Sequence, residues 1–118
     1  SIAISSLTFK DKVHSYVKEA ELFIKAGKFD EADEAVKKAL GDAHGPERDS
    51  VTKTIKAFYR DQALVYEKEN RRAQAARIYE KILQMNITPQ ERQEIKEKLL
   101  PLYERLGRVT EYFTLKKS

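Results

Sequence analysis

The sequence predicts an all-α protein, a helical-repeat domain in which about three helical hairpins stack on one another. Apolar residues recur at three- and four-residue steps through most of the 118-residue chain, as they do along one face of a helix. Only 4 Gly and 3 Pro are present, few for a loop-rich protein. Residues that favour a left-handed turn follow apolar segments at Gly27, Asn70 and Gly107, which are 43 and 37 residues apart.

The first hairpin is predicted at residues 10–42, after a leader or linker at residues 1–9. Its first helix is expected to end at Gly27, because glycine takes the left-handed cap conformation without steric cost. Its second helix is expected at residues 29–40. The apolar positions of this pair are Val13, Tyr16, Val17, Ala20, Phe23, Ile24, Ala32, Val36, Ala39 and Leu40.

The second hairpin is predicted at residues 48–85, after a turn-rich connector at residues 41–50. The third helix is expected to begin near residues 48–50. Asn70 is expected to take the turn conformation that Gly27 takes earlier. The apolar positions are Val51, Ile55, Phe58, Tyr59, Ala63, Tyr66, Ala75, Ile78, Tyr79, Ile82 and Leu83.

The third hairpin, at residues 88–117, completes a predicted domain at residues 10–118. Thr88 is a good N-cap, Pro89 suits the first helical position, and Glu91 stands at the capping-box spacing. A helix is therefore expected to begin here and to run to Gly107. Further positions on its apolar face are Ile95, Leu99, Leu102, Tyr103 and Leu106.

Pro101 lies inside this fifth helix and predicts a kink, since proline removes one backbone donor and clashes one turn back. A short sixth helix then carries Val109, Tyr112, Phe113 and Leu115. Adjacent helical residues point roughly 100° apart. We therefore expect Tyr112 or Phe113 to face solvent beside Leu115 and to form a docking surface; the alternative is that both fold inward as a cap.

These hairpins resemble the tetratricopeptide repeat over about residues 12–116. In that family a small residue lets two helices approach while an aromatic side chain fills the space beside it. The matching positions are Tyr16, Ala20, Phe23, Gly27, Phe29, Ala32, Ala39 and Leu40, then Tyr59, Ala63, Tyr66, Ala75, Tyr79, Ile82 and Leu83, then Leu99, Leu100, Tyr103, Gly107 and Val109. The units exceed the family's repeat of about 34 residues, and Glu19, Gln62, Arg72 and Tyr112 depart from its pattern; a generic helical bundle is the alternative.

The resemblance implies a right-handed superhelical stack, an α-solenoid whose concave face is lined by the first helix of each unit. The side chains that it implies on that face are His14, Val17, Lys18, Glu21, Ile24 and Lys25 from the first unit, Ala57, Arg60, Asp61, Leu64, Glu67 and Lys68 from the second, and Glu94, Glu97, Lys98, Pro101, Glu104 and Arg105 from the third. Among them, the predicted partner-binding residues are Val17, Lys18, Glu21, Ile24, Arg60, Leu64, Glu67 and Lys68. The family's chaperone adaptors clamp a terminal carboxylate with Lys and Asn. Here Val17, Glu21 and Leu64 occupy clamp positions, so that specialised function is not implied.

No pattern typical of an enzyme is present. The two histidines, His14 and His44, lie in different elements, and no metal-ligating His/Glu pair shares a helix face. The chain has no Cys, which excludes disulfides, thiolate metal sites and cysteine nucleophiles. Asp and Glu alternate with Lys as on a solvated surface. We therefore predict no catalysis, no cofactor and no metal.

Charge and targeting signals leave the compartment unknown. Residues 1–59 carry 10 basic and 10 acidic residues, whereas residues 60–118 carry 13 and 9. This basic surplus is mixed with Glu and forms no clustered stripe. No apolar run approaches the roughly 18–20 residues needed to cross a bilayer, and no signal peptide is visible. Because the chain begins with Ser, we expect a processed protein or a fragment of a longer one.

The resulting functional prediction is a protein–protein interaction module, a scaffold or adaptor that binds a peptide or partner helix. The binding surface would be the concave groove or the C-terminal end around Tyr112 and Phe113. One alternative is a self-assembly unit. Another is a regulatory nucleic-acid-binding domain, although nucleic acid is the less favoured partner; it would use Arg71, Arg72, Arg77, Lys81, Arg105, Arg108, Lys116 and Lys117.

Overall fold

The computed structural model describes residues 9–118, and this range forms six α-helices and no strand. The helices are α1 (Phe9–Lys25), α2 (Phe29–Asp42), α3 (Pro46–Lys68), α4 (Arg72–Leu83), α5 (Pro89–Leu106) and α6 (Val109–Lys117). The all-α prediction is confirmed. The predicted leader lies outside the described residues except for its last residue, which begins α1.

Two predicted boundaries differ from the structure. The second helix continues two residues beyond Leu40, to Asp42. The third begins at Pro46 rather than near residues 48–50. Proline at the first helical position needs no hydrogen-bond partner for its nitrogen, and its fixed φ suits the helix. The connector between α2 and α3 is consequently shorter than the sequence suggested.

The chain forms two compact units, and the boundary between them lies within α3, between Phe58 and Tyr59. In the first unit α1 packs against α2. In the second unit α4 packs against α5, and α5 packs against α6. The right-handed superhelical stack of hairpins stays a prediction.

The three predicted turns share one backbone geometry. Gly27, Asn70 and Gly107 have φ values of 75°, 58° and 71°, in the left-handed region. At the first turn Gly27 N donates to Ile24 O at 3.1 Å, and Lys28 N donates to Phe23 O at 2.8 Å. This pair of bonds is the Schellman motif, which satisfies the last carbonyls of a helix. The equivalent pairs are Asn70–Glu67 and Arg71–Tyr66, then Gly107–Glu104 and Arg108–Tyr103.

Small side chains occupy the centres of both units. Ala20, Ala32 and Ala39 are fully buried in the first unit, as are Ala75 and Ala76 in the second. Small residues allow helices to approach closely, and larger neighbours fill the remaining space. The larger buried side chains include Val13, Ile24, Phe29, Val51 and Ile55, then Tyr59, Ile78, Tyr79, Ile82, Ile95, Leu99 and Tyr103.

The beginning of α5 is fixed as the sequence predicted. Thr88 Oγ1 accepts a hydrogen bond from Glu91 N at 3.1 Å, and Glu91 Oε1 accepts one from Thr88 N at 3.0 Å. This reciprocal pair is the capping box. The helix then continues through Pro101 to Leu106 without interruption, and the kink stays a prediction. None of the helices in the described range is long and apolar enough to cross a bilayer.

Candidate functional site

The second unit carries a cleft of about 600 Å³ between α3 and α5. Its apolar surface comes from Leu64 on α3, Tyr79 on α4 and Ile95 on α5. Leu64 is 44% exposed, whereas Tyr79 and Ile95 are almost fully buried. The charged side chains around this apolar surface are Arg60, Glu94, Glu97 and Lys98.

A second cleft of about 300 Å³ adjoins the first, because Glu97 and Lys98 line both. Its other lining residues are Glu67, Arg72, Pro101, Leu102 and Arg105. The α5 side chains recur every three or four residues, the spacing of one helix face. At a rise of 1.5 Å per residue, the lined part of α5, residues 94–105, extends for about 16 Å. We refer to the two clefts together as the α3–α5 groove.

A buried tyrosine fixes one carboxylate of this groove. Tyr79 donates its hydroxyl to Glu67 Oε2 at 2.6 Å. Burial, together with the adjacent Glu67 carboxylate, raises the pKa of Tyr79 well above its ordinary value. The tyrosine therefore stays protonated and remains a donor at neutral pH. One oxygen of Glu67 is consequently occupied within the protein.

Arg60 is fixed at the opposite end of the groove. Its Nη2 donates to Glu91 Oε2 at 3.1 Å, while the other Glu91 oxygen belongs to the capping box. Glu91 therefore connects the beginning of α5 to α3. This ion pair orients the Arg60 side chain beside the apolar cleft and neutralises its charge.

Three cations of the groove have no such partner. The side chains of Arg72, Lys98 and Arg105 form no ion pair or hydrogen bond within the described part of the chain. Arg72 begins α4 and Arg105 lies in the last turn of α5, so the groove brings together residues beside two different turns. These three charges can therefore meet a ligand without first losing an internal partner.

The first unit has a smaller cleft, of about 380 Å³, between α1 and the N-terminal part of α3. Its carboxylate at Glu21 is already held by Lys18 Nζ at 3.7 Å and by Lys25 Nζ at 3.4 Å. The other lining residues are Val13, His14, Val17, Glu47, Ser50, Val51, Thr54 and Phe58. This cleft offers a ligand less volume than the α3–α5 groove.

The structure places the predicted binding residues in different surroundings. Val17, Lys18 and Glu21 line the cleft of the first unit. Arg60 and Leu64 line the large cleft, Glu67 lines the adjoining one, and Lys68 is exposed outside these clefts.

Ile24 was wrongly predicted to contact a partner. It is fully buried. The reason is helical spacing, because Ile24 follows Ala20 by four residues and shares its core-facing stripe. Its side chain therefore belongs to the core of the first unit and is not accessible in the folded state.

The C-terminal helix exposes one of its two aromatic side chains. This confirms the expectation that either Tyr112 or Phe113 faces solvent. Phe113 is 51% exposed, and its ring lies edge-on to Tyr112 with the centroids 5.3 Å apart. The alternative, that both rings fold inward, is wrong. Leu115 is buried and does not join the exposed surface. Val109, four residues before Phe113 and also exposed, stands on that side of the helix instead.

Sequence reasoning assigned Tyr79 and Ile95 only to apolar faces and did not place them at a binding cleft. The periodicity of α5 did place Ile95 on the apolar face of that helix. The bond between Tyr79 and Glu67 had no sequence signal, because it joins residues on two helices across the turn at Asn70.

Among the described residues, no group of three or more His, Asp or Glu side chains is placed to hold a metal ion. No protein-family model, no curated protein and no solved structure matches the chain. The resemblance to the tetratricopeptide repeat therefore stays a prediction.

Proposed function

We propose that this protein is a non-catalytic protein–protein interaction module, a scaffold or adaptor that binds a peptide or partner helix in the α3–α5 groove. The observation that carries this proposal is Leu64, an exposed apolar side chain at a cleft of about 600 Å³ with charged residues around it. Protein interfaces combine an apolar centre with a polar rim in this way. A tetratricopeptide-like arrangement of the hairpins is part of the proposal.

The dimensions of the groove support a helix or a short extended peptide as the ligand. A helix lying along the lined part of α5 would present about three turns to it, given a pitch of 5.4 Å. The cleft volume lies within the range of about 300–1,000 Å³ that is typical of ligand pockets. One large apolar side chain from the partner would contact Leu64 and Ile95, and flanking polar groups would meet the rim.

The chemistry of the lining supports binding rather than catalysis. Among the described residues, none of the side chains that line the groove is His, Ser or Thr. Glu67 accepts a hydrogen bond from Tyr79, and Arg60 is held by Glu91. The Tyr79 hydroxyl faces the Glu67 carboxylate, but burial raises the pKa of this hydroxyl and so opposes its use as a nucleophile.

Selection of peptides from a random displayed library tests this function. The parent chain and a Leu64→Arg variant are used as separate targets. A Leu22→Arg variant is the matched control, because Leu22 is also an exposed leucine but lies on α1. We expect one set of peptides to be enriched on the parent and on the Leu22→Arg variant, and lost on Leu64→Arg. Equal enrichment on all three folded targets, or none on the parent, would contradict the proposal.

The C-terminal end is a second candidate surface, favoured by the exposure of Val109 and Phe113. Adjacent exposed apolar side chains are typical of docking sites. Light scattering over a range of concentrations tests self-association, with Phe113→Ser as the variant. An increase in mass with concentration that the variant abolishes would support assembly through this end. A constant monomer mass would remove it.

A further inference from the structure

The charge of the α3–α5 groove changes along its length. The large cleft has two cations, Arg60 and Lys98, and two carboxylates, Glu94 and Glu97, and its Arg60 is already paired with Glu91. The adjoining cleft has three cations, Arg72, Lys98 and Arg105, against the carboxylates of Glu67 and Glu97. The apolar centre therefore has an electropositive neighbour on the side towards the turns at Asn70 and Gly107.

The two carboxylates of the adjoining cleft are already engaged. Glu67 accepts from the Tyr79 hydroxyl at 2.6 Å, and Glu97 Oε1 accepts from Gln93 Nε2 at 3.3 Å. The three cations have no side-chain partner within the described residues. A ligand carboxylate would gain charge-assisted donors there, whereas a ligand cation would compete with existing donors.

We propose that the partner segment is acidic and amphipathic, with an apolar anchor residue against Leu64 and Ile95 and Asp or Glu side chains over Arg72, Lys98 and Arg105. This inference rests on the proposed function of the groove. It specifies the chemical class of the ligand: a protein segment with an apolar face and an acidic flank.

The geometry of α5 sets the spacing within that segment. Ile95 and Lys98 are three residues apart, and Arg105 follows Lys98 by seven. These separations correspond to about 5 Å and about 10 Å along the helix axis. A partner helix lying along α5 would therefore carry carboxylates roughly one and three turns from its anchor residue.

Peptides enriched on the parent chain but not on Leu64→Arg are the probe. We expect Asp and Glu to be over-represented in them, on one side of an apolar anchor. A labelled peptide from this set is then titrated by fluorescence anisotropy against a Lys98→Glu/Arg105→Glu variant. Reversing two charges at the contact should weaken binding by about tenfold or more, because attraction becomes repulsion.

A Lys28→Glu/Lys53→Glu variant is the matched control, because it makes the same change in net charge at exposed positions of the first unit. Its affinity for the peptide should stay within about twofold of the parent, since neither lysine lines the groove and exposed charges are screened by salt. Circular dichroism of both variants verifies that they are folded.

The outcomes separate this inference from the proposed function. Leu64-dependent peptides that are neutral or basic would overturn the acidic class and leave the groove function standing. Acidic peptides that bind both charge variants equally would overturn it as well. The absence of any Leu64-dependent peptide would overturn both proposals.

Nucleic acid is tested in parallel with a labelled single-stranded oligonucleotide. The inference would be overturned if the oligonucleotide bound more tightly than the peptide at physiological salt and bound at the same cations. In that case the Lys98→Glu/Arg105→Glu variant would lose oligonucleotide binding, and the Leu64→Arg variant would keep it. Binding through phosphates would also weaken steeply and linearly in the logarithm of salt concentration.

Discussion

The first and last hairpins of this protein have the same turn but different packing after it. At both Gly27 and Gly107 the backbone is left-handed, and the same two hydrogen bonds close the preceding helix. After the first turn α2 runs for 14 residues and buries Phe29, Ala32, Ala35 and Ala39. After the last turn α6 runs for nine residues and buries Leu115. The turn is decided locally, whereas the packing depends on the side chains that follow it.

Equivalent positions show the cause of this difference. The first residue of the second helix is Phe29 in one hairpin, 3% exposed, and Val109 in the other, 61% exposed. Three residues later, fully buried Ala32 corresponds to partly exposed Tyr112. An alanine allows the two helices to approach, whereas a tyrosine occupies that space.

The end of α6 is held by a different interaction. Lys96 Nζ on α5 donates to Lys116 O at 3.2 Å and to Ser118 O at 2.9 Å. A cation at the C-terminus of a helix complements the negative end of its dipole. Polar contacts from α5 therefore supplement the limited apolar packing of this helix.

Truncation of one aromatic in each hairpin should give the largest contrast. We expect Phe29→Ala to lower the free energy of unfolding by about 3–5 kcal/mol, because it leaves a cavity in the core of the first unit. Phe113→Ala should cost less than about 1 kcal/mol, because half of that ring is already in water. Urea unfolding monitored by circular dichroism measures both, and equal losses would show that the two hairpins are packed alike.

Enlarging a buried alanine tests the close approach of the helices directly. Ala32→Leu and Ala75→Leu should each cost about 1–3 kcal/mol, because added methylene groups have no room at fully buried positions. Thermal melting measures the loss, and Ala26→Leu at an exposed position is the matched control. Melting temperatures unchanged in both buried variants would exclude tight packing at these sites.

The shared turn geometry can be tested at Gly107. We expect Gly107→Ala to cost about 1–2 kcal/mol, because an L-residue is strained at positive φ. An added Cβ would meet no atom within 4 Å, so the loss would report backbone strain alone. Denaturant midpoints measure it, and Gly41→Ala, inside α2, is the control that should not destabilise. A neutral Gly107→Ala would mean that the last turn differs from the first.

The last hairpin also depends on how α5 begins. Thr88→Ala should cost about 0.5–2 kcal/mol, because Glu91 N loses its side-chain acceptor. Thr88→Ser keeps an oxygen at the cap and is the conservative control. Chemical denaturation of both variants decides the point: an alanine variant as stable as the serine variant would argue against the cap.

The smallest expected effect is a dependence of stability on alkaline pH. Tyr103 donates its hydroxyl to Glu80, and burial with this bond raises the pKa of Tyr103, as burial raises that of Tyr79. The folded state therefore holds these protons more tightly than the unfolded state. Their stabilisation is fully present below the ordinary tyrosine pKa of about 10 and is lost as pH rises above it.

Unfolding free energies measured between pH 8 and 11 test this direction. The Tyr79→Phe/Tyr103→Phe variant should lose less stability across that interval than the parent does, since it lacks the two hydroxyls whose pKa is raised in the folded state. Tyr16→Phe is the control, because Tyr16 is only partly buried. If the free energy of unfolding fell with pH at the same rate in all three proteins, the hydroxyls of Tyr79 and Tyr103 would not be the cause of the loss.

Local chemistry made much of the fold predictable from the sequence. The turns at Gly27, Asn70 and Gly107 follow from residue types that accept positive φ. The capping box at Thr88 and Glu91 needs only residues three positions apart. The shared surface of α3 and α5 was expected from the family resemblance and not from spacing, and the structure brings Arg60 and Leu64 to one cleft with residues of α5.

Local residue types and spacing did not predict the contacts between helices. Periodicity placed Ile24 on the apolar stripe of α1 while the family resemblance placed it on the binding face, and its burial in the structure decides for the core. The same limit applied at Tyr112 and Phe113, where spacing gave the angle between the rings but not which one faces solvent. These choices depend on the position of a neighbouring helix.

The sequence by itself determined the six helices, their turns and the pattern of their faces, because each depends on residues only a few positions apart. Tertiary structure decided the site. It paired Tyr79 with Glu67 and Arg60 with Glu91, and it left Arg72, Lys98 and Arg105 without partners among the described residues. Packing in three dimensions sets which side chains meet, since each of these pairs joins residues on two different helices.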